Sequence, residues 1–489
     1  MTDENNKEQA DNKDKQEDVK EMPPVETQHE ITYGDKTLKY TVNTGMMPMK
    51  NAESGEVEAN IFFMGYTLDG VSDVSERPLI FVFNGGPGSA SVWLHLGAFG
   101  PKRVQMQDEG WMPAPPYKLV DNPDTWLDLA DLVFIDPVGT GYSRSVKDEH
   151  NKKFWNLQGD LDSVAEVIRL YLTKYERWTS PLFLAGESYG TTRSAGLTKT
   201  LFDKGIAVNG IMLISTVLNF QTLRFGRGND LPYHLYVPTY ASTAWYHKRL
   251  SEEHQNKSVH DFLREVEAWS ETEYAVALAK GDGLKGDERQ AIVSQLADYT
   301  GLSEDYIERT NLRINIMRFC AELLRDDRVH VGRLDSRFKT PEKATATNEF
   351  MEFDPSMTAI IPPYTAMMNN YARTELKYET DTAYEVLSFN VNQSWEWERG
   401  TQPDTSEALR QAWERNPFMK VFLARGIYDL ATPHFATTYT FNHMDIPPKL
   451  HDNIQVADYE AGHMLYLDIK QLAKLKDDVS EFVEFALNT

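Results

Sequence analysis

The sequence has a single cysteine, Cys320, among its 489 residues, so no intrachain disulfide can form. The amphipathic helical pattern around Cys320 predicts a small buried side chain rather than a nucleophile. No apolar run approaches the roughly 20 residues that a membrane-spanning helix needs, so we expect no membrane association. Positive charge is scarce: 50 Lys and Arg face 74 Asp and Glu, which gives a net charge of −24. Such an acidic chain is a poor candidate for nucleic-acid binding, because phosphate contacts need clusters of Lys and Arg.

The amino-terminal segment has almost no apolar residues. Residues 1–30 hold ten acidic residues and four lysines, so we expect them to form a disordered acidic tail. They contain no apolar leader, and this absence together with the cysteine count favours a cytoplasmic protein. Export remains an alternative, because a leader that was cleaved or replaced leaves no trace in the sequence.

The remaining chain is typical of a globular protein, with 41% apolar and 11% aromatic residues. Residues 31–225 and 385–489 alternate between strand and helix patterns, which predicts an α/β domain with a mostly parallel twisted sheet flanked by helices. Continuous apolar runs predict buried strands at 78–83, 131–136, 181–185, 209–215, 420–426 and 453–458. Residues 226–384 form an insertion that we expect to be a mainly helical cap over the sheet. Helical patterns cover 153–175, 259–269, 273–279, 288–297, 304–324 and 469–489. Segment 326–415 is mixed and aromatic-rich, and its pattern predicts no definite elements.

A candidate nucleophile follows the strand at 181–185. The motif Gly186-Glu-Ser-Tyr-Gly190 has the Gly-x-Ser-x-Gly spacing of a sharp turn between a strand and a helix. Such a turn exposes Ser188 at the sheet edge, and the glycines avoid collisions with neighbouring strands. A surface turn remains the alternative, because this short motif also occurs by chance.

Two later residues complete a catalytic triad in the chain order Ser, Asp, His. Asp429 follows the strand at 420–426, and His463 follows the strand at 453–458. A serine hydroxyl needs a general base, and the base needs a carboxylate to orient it. We read the Ala-Gly pair before His463 as a small, flexible lead-in. The other histidines lack companions at metal-ligand spacing, so we expect neither a metal nor a cofactor.

A glycine-rich loop follows the buried strand at 78–83. Asn84-Gly-Gly-Pro-Gly88 leaves backbone N–H groups free to face a ligand, which exceeds what an ordinary tight turn needs. A second glycine-bearing loop, Asp136-Pro-Val-Gly-Thr-Gly-Tyr-Ser143, follows the strand at 131–136.

These motifs, together with Ala461-Gly-His-Met464, resemble those of the serine carboxypeptidase family. The resemblance implies an α/β-hydrolase fold and release of carboxyl-terminal residues from peptides through an acyl-enzyme. It assigns the nucleophile to Ser188, the general base to His463 and the orienting acid to Asp429. It further implies an oxyanion hole from the backbone N–H groups of Gly86 and Tyr189. Binding of the peptide's terminal carboxylate is assigned to Asn84, Gly85 and Glu187. A glutamate can hold a carboxylate only when one of the two carries a proton, so such a site favours acid pH.

The chain departs from the family pattern at four places. Val82 stands where a tryptophan is usual, Ala98 where a glutamate is usual, and Ser89 where a cysteine is usual. The glutamine that normally lies between Asp136 and its proline is absent. The first two positions belong to the carboxylate-binding network, so their replacement should weaken the exopeptidase preference and the preference for acid pH, whereas the serine chemistry does not depend on them.

Three functions are compatible with these residues. The leading hypothesis is a serine carboxypeptidase that takes a peptide substrate. The second is an esterase or acyltransferase on the same fold, and the third is a catalytically silent binding protein that acts through its helical cap. The sequence leaves the side-chain preference and the oligomeric state open, with a homodimer as one alternative.

Overall fold

The computed structural model describes residues 23–344, 352–397, 400 and 402–488. Within them the central sheet has ten strands, of which the middle ones are parallel and those at one edge antiparallel. In chain order these strands are Val25–Tyr33 (β1), Lys36–Lys50 (β2), Val57–Leu68 (β3), Leu79–Phe83 (β4), Asp131–Ile135 (β5), Arg144–Ser145 (β6), Leu182–Ser188 (β7), Gly210–Thr216 (β8), Lys420–Gly426 (β9) and Ile454–Tyr459 (β10). Their spatial order is β1-β2-β3-β5-β4-β7-β8-β9-β10, and β6 pairs with β3.

Helices cover both faces of the sheet because its central strands are apolar on both sides. Ile80 and Val82 belong to one buried cluster, and Leu79 and Phe81 between them belong to the other, as the two-residue repeat of a strand requires. The first cluster includes residues of helix Ile469–Leu487. The second includes residues of helices Leu157–Lys174, Tyr189–Asp203 and Ser406–Arg415.

The insertion has a hydrophobic core of its own, in which Tyr240 stacks on Phe319 with ring centroids 4.1 Å apart. Its α-helices of six or more residues are Val237–Tyr246, Val259–Trp269, Ala275–Lys280, Gly286–Thr300, Glu304–Arg309, Ile316–Glu322 and Pro355–Thr374. Shorter helices are Leu231–Leu235 and Glu252–Gln255. The domain boundaries drawn from the sequence stay predictions.

The α-helices not yet named lie outside the insertion. They are Val92–Leu94, Asn151–Phe154, Phe389–Ser394, His434–Asn442 and Pro448–His451. Two short hairpins, Lys102–Val104 with Leu119–Asp121 and Val329–Val331 with Lys339–Pro341, lie outside the central sheet.

Two local predictions were wrong. Residues 25–30, assigned to the disordered tail, begin β1, which is an edge strand whose charged side chains point to solvent in alternation. The helix predicted over 304–324 is broken after Arg309, because Asn311 and Leu312 adopt positive φ angles of 52° and 65°. The part of the predicted tail at 1–22 lies outside the described residues.

Candidate active site

Ser188 occupies a strained turn between β7 and helix Tyr189–Asp203. Its φ of 59° lies in the left-handed region, which non-glycine residues rarely adopt. The flanking glycines are required by close approach, since a Cβ on Gly186 would collide with the carbonyl oxygen of Gly190. A Cβ on Gly190 would lie 2.8 Å from the carbonyl oxygen of Phe83. The local fold therefore matches the turn that the Gly-x-Ser-x-Gly motif predicts.

Asp429 and His463 meet after the carboxyl ends of the adjacent strands β9 and β10. The imidazole Nδ1 of His463 lies 2.7 Å from Oδ2 of Asp429, and both side chains are buried. Asp429 also accepts hydrogen bonds from the backbone N–H groups of Ala431 and Thr432 at 2.7 and 3.0 Å, and from the Thr432 hydroxyl at 2.7 Å. The carboxylate is thus fixed by donors on its own loop and faces the imidazole.

Ser188 and His463 line one cavity of about 350 Å³. Among the described residues, however, no hydrogen bond joins the Ser188 hydroxyl to the His463 ring. The acid and the base are therefore in direct contact, whereas the base and the nucleophile line the same cavity without a hydrogen bond between them.

A seven-residue turn, residues 332–338, holds the loop that carries Asp429. This turn connects the short strands Val329–Val331 and Lys339–Pro341. The backbone N–H of Ser336 donates to the carbonyl of Tyr428 at 3.1 Å. The N–H of Leu430 donates to the carbonyl of Arg333 at 3.1 Å. Both neighbours of Asp429 are therefore bonded to this turn.

The same turn also holds the loop that carries His463. The backbone N–H of His463 donates to the carbonyl of Leu334 at 2.6 Å, and the N–H of Gly462 donates to Oδ2 of Asp335 at 3.2 Å. A Cβ on Gly462 would lie 2.5 Å from the Cβ of Asp335. The glycine before His463 thus serves close packing, and not the flexibility that the sequence suggested.

The expected oxyanion-hole residues lie beside Ser188. Gly86 and Tyr189 line the same cavity. The Tyr189 N–H is at the first position of its helix, where it has no intrahelical acceptor. Gly86 has a φ of 103°, and a Cβ on Gly85 would lie 2.6 Å from the backbone nitrogen of Gly190. The glycine-rich loop therefore approaches the start of the helix as closely as backbone atoms permit.

Glu187 is buried beside the nucleophile, and burial raises its pKa to about 7. The hydroxyl of Tyr466 donates a hydrogen bond to its Oε2 at 2.6 Å. Asn84 is also buried in the cavity wall, and its Oδ1 accepts the backbone N–H of Leu94 at 3.1 Å. Near neutral pH this part of the cavity therefore holds a carboxyl group that readily gains or loses a proton.

Tyr466 was not identified from the sequence. A Cβ on Gly97 would lie 2.6 Å from the Tyr466 ring, so this ring packs beside the segment that contains Ala98. The phenol therefore stands close to the backbone where the family pattern has a glutamate. Only the three-residue spacing from His463 could have drawn attention to it.

The pKa of His463 is raised although burial opposes the charged ring. The charge of Asp429 and its hydrogen bond to Nδ1 outweigh the loss of hydration. The pair thus favours a protonated imidazole, which is the form that follows removal of a proton from a nucleophile.

Two other histidines and the cysteine lie in structural surroundings. The His95 ring lies 2.7 Å from the hydroxyl of Tyr66, and His434 contacts Glu267 at 2.8 Å. Cys320 is buried and burial raises its thiol pKa. Within the described ranges no group of His, Cys, Asp and Glu side chains has the geometry of a metal site.

Among the described helices, none combines the length and the apolar character needed to cross a membrane.

Comparisons with known proteins agree with the arrangement of motifs. The sequence profile of the serine carboxypeptidase family matches residues 35–465. The pheromone-processing carboxypeptidase KEX1 of Saccharomyces cerevisiae is 32% identical over 158 residues, which is 30% of this chain and 20% of the yeast protein. Serine carboxypeptidase-like 5 of Arabidopsis thaliana is 28% identical over 156 residues, 31% of this chain and 33% of the plant protein. The alignments thus span a fifth to a third of these relatives.

The fold is also similar to a solved structure. The crystal structure of KEX1(DELTA)P, a prohormone-processing carboxypeptidase from Saccharomyces cerevisiae, has a TM-score of 0.55 at 17% identity, with 91% of each chain covered. The chain belongs to the serine carboxypeptidase family and has its α/β-hydrolase fold.

Proposed function

We propose that the protein is a serine carboxypeptidase that releases carboxyl-terminal residues from peptides through an acyl-enzyme. The observation that carries this proposal is the 2.7 Å contact between Asp429 and His463 in a cavity that the strained Ser188 turn also lines. A buried acid on an imidazole and a serine that lines the cavity on a positive-φ turn are the parts that acyl transfer requires.

The first half-reaction acylates Ser188. His463 removes the hydroxyl proton as Ser188 Oγ attacks the scissile carbonyl carbon, and Asp429 stabilises the resulting imidazolium. The imidazolium then protonates the amine of the terminal residue, whose C–N bond breaks, leaving an ester on Ser188. In the second half-reaction, His463 activates a water that hydrolyses this ester and restores the hydroxyl. Both halves require the Ser188 side chain to come within about 3 Å of the imidazole, a contact that tightens when substrate binds.

The oxyanion of both tetrahedral intermediates accepts hydrogen bonds from the backbone N–H groups of Gly86 and Tyr189. The unsatisfied first amide of a helix is a suitable donor, because it also carries the positive end of the helix dipole. Such donors typically contribute on the order of 100- to 1,000-fold to kcat.

The terminal carboxylate binds at Asn84, Gly85 and Glu187. Burial keeps Glu187 largely neutral below about pH 7, and a neutral carboxyl group can donate a hydrogen bond to the substrate carboxylate. Tyr466 orients that carboxyl group through its hydrogen bond to Oε2. This arrangement supports exopeptidase activity although Ala98 replaces the usual glutamate.

The test compares one blocked dipeptide as the free acid with its carboxyl-terminal amide. We expect release of the terminal amino acid from the free acid, much slower turnover of the amide, and labelling of Ser188 by a fluorophosphonate probe. Ser188→Ala should abolish both turnover and labelling.

Ser251→Ala is a matched control, because Ser251 is an exposed serine of the insertion whose side chain caps no helix. Equal rates on the acid and the amide contradict the carboxypeptidase assignment. Turnover of short-chain esters without release of any amino acid supports the esterase alternative instead.

A further inference from the structure

Arg333 lies between the loops that carry the acid and the base. Its carbonyl oxygen accepts the N–H of Leu430 at 3.1 Å, and its own N–H donates to Oδ2 of Asp354 at 3.2 Å. The next residue, Leu334, accepts the N–H of His463. The backbone of Arg333 is thus fixed on both sides, which determines where its side chain begins.

Arg333 lines the catalytic cavity together with Glu187, Ser188 and His463, and its positive charge is close enough to oppose the raised pKa of His463. The residue is half-buried, yet in the part of the chain that the structure describes its guanidinium makes no ion pair and no hydrogen bond. The nearby carboxylate of Asp354 is occupied by the backbone N–H groups of Arg333 and Leu334 and by Ser356. A positive charge is therefore present in the cavity without a protein counter-ion.

Several other shielded arginines of this protein are paired with carboxylates, although the half-buried Arg103 is not paired with one among the described residues. Arg193 contacts Asp160 at 2.9 Å, and Arg425 contacts Asp458 at 2.8 Å. Burial of a charge is unfavourable unless a partner compensates it, so the missing partner at Arg333 requires an explanation. The guanidinium has the planar donor geometry that binds carboxylates in a bidentate way.

We propose that Arg333 binds a carboxylate of the peptide substrate. The inference rests on the proposed carboxypeptidase function and defines its substrate class. A peptide has two kinds of carboxylate that Arg333 can bind. One is an acidic side chain next to the scissile bond, and the other is the terminal carboxyl group. Arg333 then either selects acidic peptides or supplements Asn84 and Glu187 in recognising the chain end.

The experiment measures kcat/KM for four blocked dipeptides. Two carry glutamate or glutamine before the scissile bond, and two carry glutamate or glutamine after it. Each is offered as the free acid and as the terminal amide, with wild type, Arg333→Gln and Arg333→Lys. Arg224→Gln is the matched control, because Arg224 is an exposed arginine that stacks on Phe220 at the cavity wall.

Loss of a charge-assisted hydrogen bond predicts a decrease of about 10- to 100-fold in kcat/KM for Arg333→Gln, mainly through KM. If Arg333 binds an acidic side chain, the decrease in kcat/KM is confined to a glutamate substrate. If Arg333 binds the terminal carboxylate, kcat/KM decreases for every free acid and does not change for the amides. Arg333→Lys should recover part of the loss, and Arg224→Gln should leave the ratios unchanged.

Equal losses on all substrates would overturn the proposal, since they indicate a structural role. Wild-type enzyme with equal kcat/KM for glutamate and glutamine, and for acid and amide, would overturn it without any variant. Fluorophosphonate labelling and turnover of the glutamine substrates report the serine chemistry separately. If both fail in wild type, or if wild type turns over acid and amide equally, the proposed function fails. If wild type prefers the acids and Arg333→Gln leaves every substrate ratio unchanged, only the role of Arg333 fails.

Discussion

The ionisation of Glu187 makes a specific prediction about pH. Burial raises the pKa of this carboxyl group to about 7, so it titrates within the range of an ordinary assay. The neutral form can donate to the terminal carboxylate of a peptide, whereas the ionised form repels it. Activity on a free-acid substrate, relative to activity on an uncharged substrate, should therefore decline as the pH rises through 7.

The size of the effect follows from the neutral fraction of Glu187. With a pKa of about 7, that fraction is about nine-tenths at pH 6 and about one-tenth at pH 8, so the ratio of kcat/KM for a free acid to kcat/KM for its amide should fall about tenfold. The carboxyl-terminal amide of the same dipeptide carries no negative charge, so its kcat/KM does not depend on the ionisation of Glu187 and follows the ionisation of His463 alone. Both substrates should lose activity at lower pH, because His463 must be neutral to act as a base.

The assay is a pH profile of kcat/KM for the acid and the amide, with wild type and Glu187→Gln. Glutamine does not titrate, so the variant should lose the alkaline decline on the free acid. Thr198→Ser provides a control at a buried hydroxyl of the helix that follows Ser188, because Thr198 donates to the carbonyl of Ala195 and does not line the cavity. Identical alkaline limbs for acid and amide in wild type would refute the reasoning about Glu187.

Further predictions concern the surroundings of the site. Asp429→Asn should lower kcat by about 10⁴-fold with little change in KM, because the imidazole loses its orienting acceptor; steady-state kinetics checks this. Tyr466→Phe removes a donor to Glu187 and should move the alkaline decline on free acids about one pH unit upward; an unchanged profile contradicts the assigned hydrogen bond. The pKa of Glu187 is raised from 4.5 to about 7, so the free energy of unfolding decreases as the pH rises through this range. Thermal melting at pH 8 should therefore find Glu187→Gln more stable than wild type by about 3 kcal/mol. Gly462→Ala should destabilise the fold by about 1–3 kcal/mol because its Cβ meets Asp335, and a melting temperature equal to wild type would contradict the packing.

The parts of the fold that the sequence predicted are those with a local signature. The apolar residues 421–424 lie between Lys420 and Arg425, and β9 spans the predicted range of 420–426. The positions of Ser188, Asp429 and His463 at strand ends follow from the same runs together with the order of the triad. The predicted family and its α/β-hydrolase fold are confirmed, whereas the individual roles of the site residues stay proposals.

The features that the sequence did not predict depend on contacts between distant segments. The turn at 332–338 holds the acid and base loops mainly through backbone atoms, which leave no residue-type signal. Tyr466 became visible only because its ring packs beside Gly97 and its hydroxyl reaches Glu187. The break after Arg309 was missed because the apolar pattern continues through two residues with positive φ.

The turn at 332–338 makes the insertion part of the catalytic framework. Asp429 and His463 lie late in the chain, yet their loops are joined by a segment that the sequence places in the cap. A chimera that exchanges the cap between relatives should therefore retain these seven residues, or the acid and the base lose their common anchor. The cap can diversify substrate choice elsewhere, but at this point its evolution is tied to that of the triad.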